Sequence, residues 1–167
     1  MFVQSINVPC QGQGDHVGID AVDHKIASYI TVTPELARSA ARQADMEMKG
    51  GVRRGPMHGI PVALKDIYET AGVPTTGHSH LKKDYVPAID ADSVRRLKDA
   101  GAVILGKLGT HEFANGNMTP DQPFPAVRNP WNTDFQPGGS SSGSGSAVGA
   151  GLVPFAIGTE TRGSIIR

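Results

Sequence analysis

The stretch IPVALKD, residues 60–66, decides the fold of this chain. A short, largely apolar run precedes Lys65 and Asp66, and such a run is typical of a β-strand buried on both faces. Pro61 cannot donate a backbone hydrogen bond, so it fits best at the start or edge of a strand. The stretch therefore predicts a buried strand with Lys65 and Asp66 at its carboxyl end.

The residues that follow predict a helix and then a second strand. Residues 92–100 carry apolar side chains at helical spacing, with Asp92 as the expected cap and Gly101 as the end. Residues 102–105, AVIL, form the next short apolar run. Strand, helix and strand in this order predict an α/β fold with a largely parallel central sheet.

Segments on either side extend this pattern. Thr33-Pro34-Glu35 is typical of a helix start, and the apolar residues after it keep helical spacing. Residues 152–157 predict another strand, which a turn at residues 158–164 follows. The beginning of the chain is rich in Gly and Gln without a clear period. We expect residues 1–30 to be a loose lead-in and residues 31–167 to form one domain.

Composition and charge exclude several classes of protein. Apolar residues make up 38% of the chain and charged residues 19%, as in globular proteins. The 16 basic residues balance 16 acidic ones, and basic residues cluster only in pairs, so we expect no direct contact with nucleic acid. We see no secretory signal and no apolar stretch long enough for a membrane. Cys10, the only cysteine, cannot form an internal disulfide, and a cytoplasmic protein is expected.

The segment GGSSSGSGS, residues 138–146, has the composition of a flexible linker. A linker should lead into a segment of different composition, but small residues continue through residues 147–151. Their spacing favours the start of a tightly packed helix. A glycine-rich backbone can also point several N–H groups at one place, which suits either an oxyanion or a phosphate. The known phosphate-loop patterns are not met, since position 148 is Val where one of them requires Gly.

A nucleophilic serine needs a base, and the sequence offers Lys65 rather than a histidine. None of the six histidines lies in a motif typical of a catalytic triad. Burial at the end of a strand would lower the pKa of Lys65 and leave a neutral amine able to accept a proton. The other lysines lie in polar contexts. Two structural alternatives remain for Lys65: its amine reaches the surface, or it pairs with Asp66.

Six segments in order resemble the amidase signature family, over residues 31–167. The lysine segment and the glycine–serine segment above are two of them. The set is GPMHGIPVALKD (55–66), AGVPTTG (71–77), GAVILGK (101–107), RNPWN (128–132), PGGSSSG (137–143) and GTETRGSI (158–165).

The resemblance implies both a fold and a set of catalytic residues. It implies a three-layer fold around a mixed, largely parallel sheet. Ser164 would be the nucleophile, Lys65 the base and Ser140, after a cis peptide with Gly139, the relay between them. The backbone N–H groups of four residues would form the oxyanion hole: Thr161, Arg162, Gly163 and Ser164.

The chain departs from the family in two respects. Many relatives have Gly where this chain has Arg162, and Arg would strain the turn if that position requires a positive φ. Family members also run to more than twice this length, so the resemblance implies that the chain is a fragment holding only the N-terminal part of the fold. Arg167 follows the nucleophile and is a candidate to hold a substrate carboxylate, with a structural ion pair as the alternative.

The resemblance implies an amidase that hydrolyses a carboxamide to a carboxylate and ammonia or an amine. One alternative is the glutamine-hydrolysing A subunit of a tRNA-dependent amidotransferase, and another is an inert fragment. The expected partners are a small amide substrate and either further copies of the chain or amidotransferase subunits. No cofactor and no metal are expected, because no ligand spacing is visible and the chemistry needs neither.

Overall fold

The computed structural model describes residues 7–9 and 16–166. Its strands are β1 (Asn7–Pro9), β2 (His16–Gly18), β3 (Tyr29–Val32), β4 (Pro61–Lys65), β5 (Val103–Leu108) and β6 (Ala156–Ile157). Its helices are α1 (Ile19–Ile26), α2 (Pro34–Lys49), α3 (Asp92–Asp99) and α4 (Ser142–Gly149), with a 3₁₀ turn at Glu112–Ala114.

Four of the strands form one mixed sheet in the order β3-β5-β4-β6. β4 runs parallel to both of its neighbours, β5 and β6, whereas β3 is antiparallel to β5. β1 and β2 form a separate antiparallel ribbon. The largely parallel sheet expected from the order of elements is confirmed.

The strand IPVALKD lies in the interior of this sheet. Pro61 is its first residue, where a missing N–H is tolerated, and residues 62–65 are fully buried. Lys65 is paired in register with Leu108, the last residue of β5. Because parallel strands end at a common edge, the residues that follow β4 and β5 meet there.

Helices cover both faces of the sheet. On one face, Ala63 belongs to an apolar cluster that includes side chains of α1, α2 and α4. On the other face, Val62 and Leu64 pack with Val94 of α3. The chain therefore forms three layers, helix on sheet on helix, and the predicted α/β class is confirmed.

β5 passes close to β3 at Gly106. A Cβ atom at Gly106 would lie 2.2 Å from the carbonyl oxygen of Thr31. Gly106 also has a φ of 156°, which residues with a side chain rarely adopt. The register between β4 and β5 shifts at the same point, as in a β-bulge. After the shift, Lys107 and Leu108 lie opposite Leu64 and Lys65.

The expectation that residues 1–30 form a loose lead-in is wrong for residues 19–26, which form α1. Ile19 and Ile26 of α1 are buried in the main core, with Val22 packed against it. These three apolar side chains recur at helical spacing and so cover the sheet. α1 has only eight residues, and so short a pattern between polar segments is a weak signal.

Two predicted boundaries also differ. The strand expected over residues 152–157 is confined to β6, because Gly151 adopts a φ of 71° and Pro154 cannot join a ladder. Asp92 is the first residue of α3 rather than its cap, which is Ala91. The Asp92 carboxylate instead accepts hydrogen bonds from Arg95 and Arg96.

Candidate active site

Three elements bring Lys65, Ser140 and Ser164 to one edge of the sheet. Lys65 is the last residue of β4, and Ser164 lies in the turn that follows the neighbouring parallel strand, β6. Ser140 follows a cis peptide bond with Gly139 and closely precedes the start of α4. α4 packs against β4 and β6, so its first residues reach the ends of both strands.

The three side chains form a continuous hydrogen-bonded chain. Lys65 Nζ lies 2.7 Å from Ser140 Oγ. Ser140 Oγ lies 3.0 Å from Ser164 Oγ. The residues that the resemblance implies as base, relay and nucleophile are therefore in contact in that order, and a proton can pass along them.

Lys65 is fully buried, and burial lowers the pKa of its amine to about 8. Water stabilises an ammonium ion far better than the interior of a protein does. The negative charge of Glu160 opposes this effect and raises the pKa of Lys65. A substantial fraction of the amine is consequently neutral near pH 8 and able to accept a proton.

Two side chains that the sequence interpretation missed orient the amine of Lys65. Its Nζ lies 3.0 Å from Ser141 Oγ and 2.7 Å from Thr159 Oγ1. Ser141 Oγ donates its own hydrogen to the carbonyl of Thr159, so it can only accept from Lys65. A neutral amine has two hydrogens, and these suit Ser141 and Thr159. In this neutral state, the lone pair of the amine is left for Ser140 and can accept the hydrogen of its hydroxyl.

His111 supports Ser140 from the side opposite Lys65. Its backbone N–H donates to the carbonyl of Ser140, and its Nδ1 lies 2.8 Å from the carbonyl oxygen of Gly116. A Cβ atom at Gly139 would lie 2.2 Å from Nε2 of His111. The imidazole thus occupies the space that a side chain at position 139 would need. The histidine acts here through packing, which no histidine motif in the sequence could reveal.

The small residues of α4 allow the backbone to approach its neighbours closely. A Cβ atom at Gly143 would lie 2.4 Å from the backbone nitrogen of Gly109. The hydroxyl of Ser146 donates to the carbonyl of Arg128. The helix interpretation of this segment is therefore confirmed, and the flexible-linker alternative is wrong. The N–H groups of Gly143 and Gly145 donate to protein carbonyls, so these two groups are not free to hold a phosphate.

The nucleophile turn differs from the expected oxyanion hole. The Glu160 carboxylate accepts hydrogen bonds from the N–H groups of Gly163 and Ser164, and also from those of Ile165 and Ile166. A carboxylate suits this place because successive N–H groups point the same way at the start of a helical turn. These bonds lower the pKa of Glu160. Two of the four expected oxyanion donors are thus occupied.

The other two expected donors, the N–H groups of Thr161 and Arg162, have no acceptor within residues 7–9 and 16–166. Both residues line a pocket of about 510 Å³ that also contains Ser140 and Ser164. The pocket is of a size typical for small-molecule sites. Arg167, the expected ligand for a substrate carboxylate, lies outside the described residues.

A second buried lysine corrects the expectation that Lys65 is unlike all the others. Lys107 of β5 is fully buried, and its Nζ lies 3.3 Å from the Asp66 carboxylate. It also donates to the carbonyl of Tyr68 and to the hydroxyl of Thr75. Asp66 therefore pairs with Lys107 rather than with Lys65. Both structural alternatives for Lys65, an ion pair with Asp66 and an amine at the surface, are thus excluded. Lys107 was missed because it follows Gly106 just beyond the apolar run.

Neither a metal site nor a membrane helix is found in the described part of the chain. No three His, Cys, Asp or Glu side chains there are grouped as metal ligands would be. None of the helices described is long and apolar enough to cross a bilayer.

The model of the amidase family matches residues 17–167 of this chain. Among curated relatives, the A subunit of the glutamyl-tRNA(Gln) amidotransferase from Geobacter metallireducens is 50% identical over 147 residues. Its counterpart from Moorella thermoacetica is 49% identical over the same length. In both comparisons the alignment covers 88% of this chain and 30% of the relative. The chain thus spans about a third of the length of the relatives it matches.

Solved structures of similar fold include hydrolases. The native peptide amidase of Stenotrophomonas maltophilia is 42% identical, with a TM-score of 0.81, over 89% of this chain and 32% of that one. A 6-aminohexanoate cyclic dimer hydrolase is 36% identical, with a TM-score of 0.77, over 87% of this chain and 29% of that one. The helices and sheet described above therefore recur in larger proteins.

Proposed function

Because the chain belongs to the amidase family, we propose that it carries the catalytic residues of a serine-dependent amide hydrolase. Ser164 is the nucleophile, Ser140 the relay and Lys65 the base. The observation that carries the proposal is the unbroken contact from the buried amine of Lys65, through Ser140, to Ser164.

The proposed reaction follows from the order of these contacts, from Ser164 through Ser140 to Lys65. Ser164 Oγ attacks the carbonyl carbon of the substrate, and the carbonyl electron pair moves to oxygen. The proton of Ser164 passes to Ser140 while that of Ser140 passes to Lys65. The C–N bond then breaks, and the leaving amine takes a proton returned through Ser140. Water attacks the acyl-enzyme by the same route, releasing the carboxylate and restoring Ser164.

The negative oxygen of the tetrahedral intermediate needs donors already in place. We assign this role to the N–H groups of Thr161 and Arg162, two residues that line the pocket and whose N–H groups have no acceptor in the described structure. The N–H groups of Gly163 and Ser164 donate to Glu160 and hold the turn instead.

The substrate proposed for the whole protein is a small carboxamide. A second candidate function is the A subunit of a tRNA-dependent amidotransferase, which releases ammonia from glutamine for partner subunits. The 50% identity to one such protein favours it. Release of ammonia from simple amides by the protein alone would support the amidase. A strict need for partner subunits and charged tRNA would support the second candidate.

A fluorophosphonate probe tests the nucleophile directly, since it forms a bond with an activated serine. We expect labelling at Ser164, measured by intact mass and peptide mapping, and none in Ser164→Ala. An exposed serine of α2 that does not line the pocket, Ser39, provides a matched control, and Ser39→Ala should label at the normal rate. Soluble, folded protein that fails to label would overturn the proposal.

A further inference from the structure

Arg162 is the one charged residue among the described residues that line the pocket beside Ser164. The other lining residues are small or neutral and polar. Asn115 and Asn117 form part of the wall, and their amides supply further donors. The lining therefore favours a negative group in the bound molecule.

The backbone does not explain the presence of Arg162. The left-handed residue of the nucleophile turn is Gly163, with a φ of 101°, and Arg162 is not among the described residues with a positive φ. The strain expected if position 162 required a positive φ is thus absent. Arginine is accommodated without a conformational cost, so its side chain is free to serve the pocket.

The Arg162 guanidinium also has no partner within the described structure. No hydrogen bond or ion pair of its side chain occurs among residues 7–9 and 16–166. Glu160, two residues away, directs its carboxylate at the N–H groups of residues 163–166. A guanidinium fork suits a planar carboxylate in particular, because two parallel N–H groups meet two oxygens.

We propose that Arg162 binds a carboxylate on the substrate, so that the preferred substrates are amides bearing a carboxylate a few atoms from the scissile bond. This inference rests on the proposed amide hydrolysis at Ser164. It deepens that function, because it assigns the substrate class to one side chain of the pocket.

The test compares two substrates that differ in one group. The monoamide of glutaric acid carries a carboxylate, and pentanamide has a methyl group in its place. We expect wild-type protein to favour the anionic amide in kcat/KM. A charged hydrogen bond contributes about 2 kcal/mol, so Arg162→Gln should reduce the preference about 30-fold. Arg162→Lys should retain part of it, and Arg162→Glu should reverse it. The preference is the ratio of kcat/KM for the two amides measured on the same protein sample, so any change in the fraction of folded enzyme cancels.

Arg96→Gln is the matched control, because Arg96 is an exposed arginine of α3 that does not line the pocket. The Arg96→Gln protein should show the same substrate preference as wild type. The inference would be overturned if Arg162→Gln lowered kcat/KM equally for both amides, or if the wild-type protein showed no preference for the anionic amide.

If the protein hydrolyses neither amide, a second measurement can still test the role of Arg162. Fluorophosphonates with an anionic or a neutral tail then report the same preference through their rates of labelling. Labelling without preference overturns the role of Arg162 and leaves the proposed function intact. Absence of any labelling overturns the proposed function itself.

Discussion

At the scale of single residues, the environment of Lys65 favours the proposed chemistry. Lysine is ordinarily protonated at neutral pH, and its side chain would then donate to Ser140 rather than accept from it. Burial lowers the pKa of Lys65 to about 8, and Ser141 and Thr159 accept its two remaining hydrogens. Together these effects suit Lys65 to the role of base that we propose for it.

The pKa of Lys65 predicts the pH dependence of serine reactivity. The neutral amine is the active form, so the rate of phosphonylation should rise about tenfold per pH unit below pH 8 and level off above it. The measurement is the labelling rate between about pH 5.5 and 9.5, a range that brackets this pKa. A rate independent of pH in this range, or one still rising steeply at its upper end, would contradict the role of Lys65.

Removing one of the two hydrogen-bond acceptors that orient the Lys65 amine should turn its lone pair away from Ser140. Thr159→Val keeps the shape of the side chain but loses the oxygen 2.7 Å from Lys65 Nζ. A hydrogen bond contributes about 1–1.5 kcal/mol, so we expect about a tenfold slower labelling of Ser164. Ser142→Ala is the control, because that neighbouring hydroxyl makes only a 3.4 Å contact with the carbonyl of Gly109. Equal effects in the two variants would show that Thr159 has no specific role.

At the scale of elements, the start of α4 decides where the relay serine lies. Gly139 packs against the His111 imidazole, and the small residues that follow allow α4 to approach β6 and the segment after β5. A sequence of this composition is flexible in isolation. Its order here comes from close contact with other elements.

Gly139→Ala tests this packing. The added methyl group would overlap Nε2 of His111, so we expect a loss of about 1–3 kcal/mol in the free energy of unfolding and slower labelling of Ser164. Gly145→Ala, in α4, is the control. Apart from its chain neighbours and the backbone of its own helix, no described atom lies within 4 Å of the added methyl group there, and alanine should raise the stability by up to about 1 kcal/mol. Denaturant unfolding followed by circular dichroism measures both, and an undisturbed Gly139→Ala protein would contradict the packing argument.

At the scale of the whole molecule, the Asp66–Lys107 ion pair joins the sheet to the loop after β4. The pair lies in the interior, and Lys107 also binds the carbonyl of Tyr68. The hydroxyl of Tyr68 in turn donates to the carbonyl of Gly158, next to Thr159. The ion pair thus supports the β4 loop, which reaches the nucleophile turn through Tyr68.

Breaking the pair on one side should be costly. Lys107→Met leaves Asp66 as an unpaired buried charge, and we expect a loss of about 3–5 kcal/mol in the free energy of unfolding. The double variant Asp66→Asn/Lys107→Met removes both charges and should recover much of that loss. Denaturant unfolding measures both, and a double variant no more stable than Lys107→Met would contradict a charge-based explanation.

The sequence by itself determined the α/β class, the interior strand with Lys65 and the segments that hold Ser140 and Ser164. These features are local, because apolar periodicity and ordered motifs lie within short stretches of chain. Only the tertiary structure decided that Ser141 and Thr159 orient Lys65, that His111 supports Ser140 and that Asp66 pairs with Lys107. It also decided that Glu160 occupies two expected oxyanion donors. These are contacts between groups brought together by backbone geometry, such as the bulge at Gly106 and the close approach of α4, and that geometry depends on how the whole chain packs.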